Sequence, residues 1–240
     1  MEQQVVIPDF KGYHNSNPNT NKRLEKSKTY QDLSTIIICP TRGQIPAKVV
    51  QSWMGMIRPM NQKVIGPLFA IKYEVGEAYN QVISSILANP ELASFKYILT
   101  IEEDNMPPPD GLMRLYEGMD QYDVIGGLYW TKGEEGQPMI YGNPQVFPRN
   151  FMPQIPLENQ LQPANGLGMG FNLFKMDIFK DDRLPKGNWF KTLQEFIPGQ
   201  GVRMMTQDLY FYEEASKYYR FACDTRIKVG HYSLSEDIIW

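Results

Sequence analysis

The chain has 240 residues, with 24 Lys and Arg against 27 Asp and Glu, a net charge of -3 and two cysteines. That length suits one larger α/β domain with a full core, and the near balance of charge gives no broad cationic face for unspecific nucleic-acid binding. No run of eighteen apolar residues offers a membrane span, no secretion signal opens the chain, and Cys39 and Cys223 lie in apolar runs rather than in paired or ligand spacing, so a reduced, cytoplasmic protein without disulfides is expected.

Residues 1–32 read as a polar N-terminal arm, because Asn, Lys and Ser dominate from about Lys11 to Asp32 and apolar periodicity is almost absent. A single domain is expected over 33–240. It opens with a buried strand at 35–39 that runs into Pro40-Thr41-Arg42-Gly43. A helix over 45–56 follows, with Pro46 near its first turn. Ala78, Val82, Ile83, Ile86 and Leu87 recur at helical spacing and predict a second helix over 75–87, ended by Asn89-Pro90.

The next stretch is the most informative. Tyr97–Ile101 is a short, apolar, β-branched run of the kind found in a strand buried on both faces, and it stops at Glu102, Glu103 and Asp104 before Pro107-Pro108-Pro109. A helix is expected from Asp110 onward. In open α/β sheets ligands gather beyond the carboxyl ends of the strands, and carboxylates there are hard ligands for Mg²⁺ or Mn²⁺, ions commonly shared with substrate phosphates. A solvated loop is the competing account of the triplet.

A strand over 122–130 comes next, with Gly126 and Gly127 inside it and Tyr129-Trp130 at its end. From Gly133 to Gln162 the composition shifts to Pro, Gln, Asn and Gly, as in a partner-binding loop or a lid. Gly166-Leu167-Gly168-Met169-Gly170 forms a turn into a strand at Phe171, then a short helix over 176–179. These glycines are no dinucleotide fingerprint, since no suitable helix opens on them and no acid follows at the required distance. A helix from Thr206 to about Tyr218 and an extended segment over 221–231 complete the chain.

Four pieces in order, Ile37-Ile38-Cys39-Pro40-Thr41-Arg42-Gly43, Glu102 to Asp104, Gly168-Met169-Gly170-Phe171, and Thr206-Gln207-Asp208 with Val229-Gly230-His231, resemble a GT-A fold glycosyltransferase of the broad family 2 type. The resemblance covers about residues 35–232. It implies a Rossmann-like α/β domain with a mixed, mainly parallel sheet, and transfer of a hexosyl or pentosyl group from a nucleotide-diphosphate sugar, with UDP favoured, to a hydroxyl on a glycan or small molecule. It also implies Mn²⁺ or Mg²⁺ as cofactor. A hydroxylated base in DNA is an alternative acceptor, reached by arm residues such as Lys22, Arg23, Lys26 and Lys28. A catalytically silent nucleotide- or glycan-binding module is the rival from another class.

Carried onto this sequence, the family's metal-binding D-x-D motif falls on Glu102 and Asp104, with a glutamate in the first place, and the C-terminal ligand histidine falls on His231. The general base falls on Asp208, where an aspartate in a helix's first turn also complements the helix dipole. Donor contacts fall on Pro40, Thr41, Arg42, Asn80, Glu102 and Glu103. Tyr79 stands where the family's helix motif carries arginine. Tyr129, Trp130, Gly168, Met169 and Gly170 would line the acceptor side, although such aromatics are often simply core.

Overall fold

The computed structural model describes residues 3–6, 31–199 and 201–240. An eight-stranded sheet forms its centre, in the order β1-β3-β2-β4-β10-β6-β13-β8. These strands are β1 (Gln4–Val6), β2 (Thr35–Thr41), β3 (Val64–Ile71), β4 (Tyr97–Ile101), β6 (Val124–Leu128), β8 (Leu161–Ala164), β10 (Phe171–Lys175) and β13 (Phe221–Lys228). The pairs β2/β3, β2/β4 and β6/β13 are parallel, and the remaining neighbours are antiparallel. It follows that β3, β2, β4, β6 and β13 point one way and β1, β10 and β8 the other. The sheet is mixed, and most of its strands run in one direction.

Helices cover both faces, which is why β2 and β4 are continuous apolar runs instead of alternating ones. On one side α2 (Val75–Ala88) and α6 (Gln207–Ala215) press Tyr79, Val82, Ile83, Ile86, Phe211 and Tyr212 against Ile36, Ile38, Ile98 and Phe174. On the other, α4 (Gly111–Glu117) packs Leu112, Leu115 and Tyr116 against Ile37, Leu99, Ile125 and Leu173. Between these come α1 (Ala47–Met54) and the short α3 (Pro90–Ala93), with α5 (Asp177–Lys180) after β10. Glu74 caps α2 by accepting from Gly76 N at 2.9 Å and Glu77 N at 3.2 Å. Cys39 and Cys223 are both buried free thiols.

Three elements depart from the sequence reading. Gln4–Val6, assigned to the arm, pairs antiparallel with β3 and extends the sheet; residues 7–30, with the basic side chains proposed to follow DNA, lie outside the described residues. Strand β3 escaped notice because Gly66-Pro67 interrupts its pattern, and the ladder to β2 slips there, between Ile36 and Ile38. Gly66 has φ of 100°, and a Cβ on it would sit 2.4 Å from the Ile37 carbonyl oxygen, so glycine alone fits. The third is a hairpin of β11 (Leu193–Ile197) and β12 (Gly201–Met205), whose Phe196, Val202 and Met204 are 71, 57 and 73% exposed. None of its described side chains is buried, so no inside–outside alternation marked it.

Short pieces position the site. β7 (Ile140–Tyr141) pairs with β9 (Gly166–Leu167) within the loop-rich stretch after β6. Beyond β4, β5 (Asn105–Met106) pairs antiparallel with β14 (Gly230–Ser233), setting His231 opposite Asn105, and β15 (Ile238–Ile239) continues that small sheet. The C-terminal segment is thereby folded against the acidic loop. Among the described residues no helix is long and apolar enough to cross a membrane.

Candidate active site

The loop after β4 is a tight turn, closed by Asn105 N to Glu102 O at 3.0 Å and braced by Trp53 Nε1 to Asn105 O at 2.8 Å. Its three carboxylates go to different partners. Glu103 accepts from Thr41 Oγ1 at 2.7 Å, Arg42 N at 2.9 Å and Arg42 Nε at 2.5 Å. It therefore ties the loop after β2 to the loop after β4. Glu102 accepts from Tyr79 Oη at 3.1 Å. Asp104 faces Lys132 Nζ at 2.5 Å and His231 Nε2 at 3.4 Å, both through Oδ2.

His231 is held in one orientation. Its Nδ1 lies 2.7 Å from the Trp130 carbonyl oxygen, which can only accept, so Nδ1 carries a hydrogen; Nε2 then donates to Asp104 in the protonated ring and offers a lone pair on that side in the neutral one. The Tyr129 ring meets the imidazole edge-on at 5.5 Å between centroids. Backbone bonds between His231 and Trp240 at 2.9 and 3.1 Å hold the main chain. A histidine aimed by a carbonyl on its far nitrogen is the usual arrangement behind a metal ligand.

Burial pushes the Glu102 carboxyl up to about 7, with the Asp104 and Asp208 charges adding to the rise and the Tyr79 hydroxyl and His231 opposing it. Burial also raises Asp104, but hydrogen bonds from His231 and Lys132 outweigh it and bring the group down to about 2. Asp208, in the first turn of α6, is raised by burial against hydrogen bonds from Thr206 and the Leu209 amide, the latter at 2.9 Å. Glu102, Asp104, Asp208 and His231 thus form one electrostatic neighbourhood.

Among the described residues no group of three or more His, Cys, Asp or Glu side chains is arranged to hold a metal. Of the three predicted ligands, Asp104 and His231 converge, whereas Glu102 is engaged by Tyr79. One carboxylate oxygen and one imidazole nitrogen fit an ion that takes its other ligands from phosphates and water, as Mg²⁺ commonly does. The donor chemistry is compatible with Mn²⁺ as well.

Several residues expected at the ligand make hydrogen bonds within the protein. Asn80, expected at the donor, gives its amide to Phe190 O at 2.8 Å and accepts from Phe190 N at 3.1 Å, holding the segment after α5 against α2. Arg42 is 86% exposed on its side chain and paired with Glu103 rather than with an open site. Pro40 is buried within β2, and Thr41 Oγ1 joins Glu103 to Gly43 N. Tyr129 is buried with its hydroxyl accepting from Gly170 N at 2.9 Å. Met169 is buried, its carbonyl accepts from Thr100 Oγ1, and the Gly168 carbonyl accepts from Asn172 Nδ2. Of that predicted acceptor lining, Trp130 alone keeps partial exposure, with Lys228 Nζ 5.8 Å from its ring.

Sequence reasoning missed Lys132 and the partnership of Tyr79 with Glu102. Nothing in the local pattern marks Lys132; the substitution of Tyr79 for the family's arginine was the visible signal for the second. A cleft of about 600 Å³ opens at the other end of the sheet, between the starts of β6 and β13, with Tyr122, Arg149 and Arg220 in its walls. It contains none of the predicted site residues.

No protein-family model and no curated protein matches the chain by sequence. Among solved structures, A197 from STIV superposes with a TM-score of 0.58 at 15% identity, covering 86% of this chain and 92% of that one. TarS 1-349 of S. aureus aligns more loosely, at 0.46 and 13% identity, over 81% of this chain and 60% of that one; the same protein has been crystallised with UDP-GlcNAc. At such identities a likeness speaks for architecture and not for activity. With its mixed sheet of mainly co-directional strands and helices on both faces, the chain is built on a GT-A-like, Rossmann-like α/β fold.

Proposed function

We propose that the protein moves a sugar from a nucleotide-diphosphate donor, UDP-linked by preference, to a hydroxyl acceptor, with Mn²⁺ or Mg²⁺ held by Asp104 and His231. The observation that carries this reading is the approach of Asp104 Oδ2 and His231 Nε2 to 3.4 Å, with the far nitrogen of the histidine committed to Trp130 O. When bound, the ion supplies Lewis-acid neutralisation of the charge that develops on the departing diphosphate. Asp104 and His231 would hold it through Oδ2 and Nε2, and phosphate and water oxygens would supply the remaining ligands.

Asp208 is the general base in this reading. Burial raises its pKa, which makes its carboxylate a better proton acceptor than a solvated aspartate. It takes the proton from the acceptor hydroxyl as that oxygen bonds to the anomeric carbon, while the bond from that carbon to the diphosphate breaks. Tyr79 Oη steadies Glu102 beside this centre, filling the place where the family's arginine would meet phosphate. Glu103 joins the loops after β2 and β4, so the acidic turn is presented on a fixed frame.

The test is a thermal-shift panel of UDP- and GDP-sugars with and without Mn²⁺, since a ligand of the native state raises the melting temperature by mass action, followed by nucleotide-release kinetics. A UDP-sugar is expected to stabilise the protein only with the metal present. Asp208→Asn should keep that shift and lose about 10²-fold in turnover with acceptor. If no nucleotide sugar stabilises the protein under either condition, the reading is wrong.

A further inference from the structure

We propose that Lys132 and a divalent cation are alternative occupants of the Asp104 carboxylate, and that the displaced ammonium group moves onto the donor's diphosphate. The inference rests on the reading that Asp104 and His231 hold the ion, and it adds a residue that neither sequence nor fold pointed to. Lys132 Nζ lies 2.5 Å from Asp104 Oδ2, and this is the same oxygen that faces His231 Nε2 at 3.4 Å. A metal bound between that oxygen and that nitrogen needs the space in front of Oδ2. It also repels the ammonium charge placed there.

The backbone around Lys132 holds still while its side chain has room to leave. Thr131 N donates to Gln137 O at 2.9 Å, Gln137 N to Thr131 Oγ1 at 2.8 Å, and Gly136 N to Gly133 O at 3.0 Å, so the loop is closed on itself. Trp130 pairs with Pro138 at its base. Gly133 follows with φ of 106° and nothing within 4 Å of where its Cβ would be. The side chain of Lys132 is 34% exposed. A lysine on a flexible stem with one end anchored can swing its charge through a short arc toward a phosphate bound beside Asp104.

Lys132 Nζ and His231 Nε2 both approach the one oxygen Oδ2 of Asp104, so a cation bound there meets the ammonium group directly. This gives the exchange a direction. Alone, neither the ion nor the diphosphate has a complete set of partners; together, the ion takes Oδ2 and the diphosphate takes the released ammonium, a point-charge contact that lysine commonly makes with phosphate.

The test measures Mn²⁺ binding by the loss of the free-ion paramagnetic resonance signal, and inorganic pyrophosphate binding by calorimetry at saturating Mn²⁺. Wild type, Lys132→Met, Lys132→Arg and Asp104→Asn are compared as full chains, each with its melting temperature. Lys132→Met, which keeps the stem and removes the charge, is expected to bind Mn²⁺ about ten-fold tighter without nucleotide and pyrophosphate about ten-fold more weakly with Mn²⁺ present. Lys132→Arg should stay near wild type for Mn²⁺.

Mn²⁺ binding by Lys132→Met alone would support the exchange even more directly. Equal Mn²⁺ affinity in wild type and Lys132→Met, with binding lost in Asp104→Asn, overturns the exchange and leaves the metal reading standing. Absence of Mn²⁺ binding in wild type and Lys132→Met alike overturns both. Unchanged pyrophosphate affinity in Lys132→Met overturns the transfer of the ammonium group to the diphosphate.

Discussion

The loop that leaves β4 and the turn that enters β10 are neighbours, because Phe171 pairs with Ile101 and Glu102 N donates to Gly170 O at 3.2 Å. They use their polar groups in opposite ways. In the turn, Gly168 O, Met169 O, Gly170 O and Gly170 N are all bonded to the protein itself, through Asn172, Thr100, Glu102 and Tyr129. In the loop, Asp104 and His231 meet across 3.4 Å, with the Lys132 ammonium group as a third, half-exposed partner. A ligand site is recognised by binding capacity that the scaffold leaves open, and by this measure the loop is the candidate site and the turn is packed beneath it.

The largest effect that could break this contrast is at Asp104. Asp104→Ala is expected to lower metal-dependent transfer by about 10³-fold or more, because the ion then loses the carboxylate that pairs with His231. Steady-state assays over a range of Mn²⁺ concentrations check it, and full activity at any metal level would return the loop to the status of a solvated acidic turn.

Gly168→Ala should act on stability instead. Its Cβ would lie 2.3 Å from Tyr129 Oη and 2.6 Å from Met139 Cε, and forcing buried groups apart costs about 1–3 kcal/mol. Chemical denaturation measures this. A variant of normal stability whose acceptor affinity falls would instead make the turn a binding element.

Asn80→Ala is the finer instrument. It strands the Phe190 amide and carbonyl in a buried place, at a cost of about 1–3 kcal/mol, and the folded fraction should bind nucleotide as wild type does. Weaker nucleotide binding at unchanged stability would restore Asn80 to the donor site, where the resemblance had put it.

Much of this was legible in the chain itself. Tyr97–Ile101 reads as a strand buried on both faces and proves to be one, with the acids beginning at its next residue. The helix expected over 75–87 is found at Val75–Ala88, because Ala78, Val82, Ile83, Ile86 and Leu87 recur at helical spacing and Asn89-Pro90 ends it. β3 and the exposed hairpin were not legible, the first because Gly66-Pro67 disrupts its periodicity, the second because none of its described side chains is buried.

Local pattern, then, determined the order of strands and helices and the place of the acidic turn, since periodicity and end-caps act between residues a few positions apart. Which of the three acids faces a histidine was decided by the pairing of β5 with β14, across more than a hundred residues of chain. The arrival of Lys132 at Asp104, and the commitment of Asn80 and Tyr129 to the scaffold, were decided in the same way. A side chain's type states what it can bond to, and packing alone fixes which partner comes within reach.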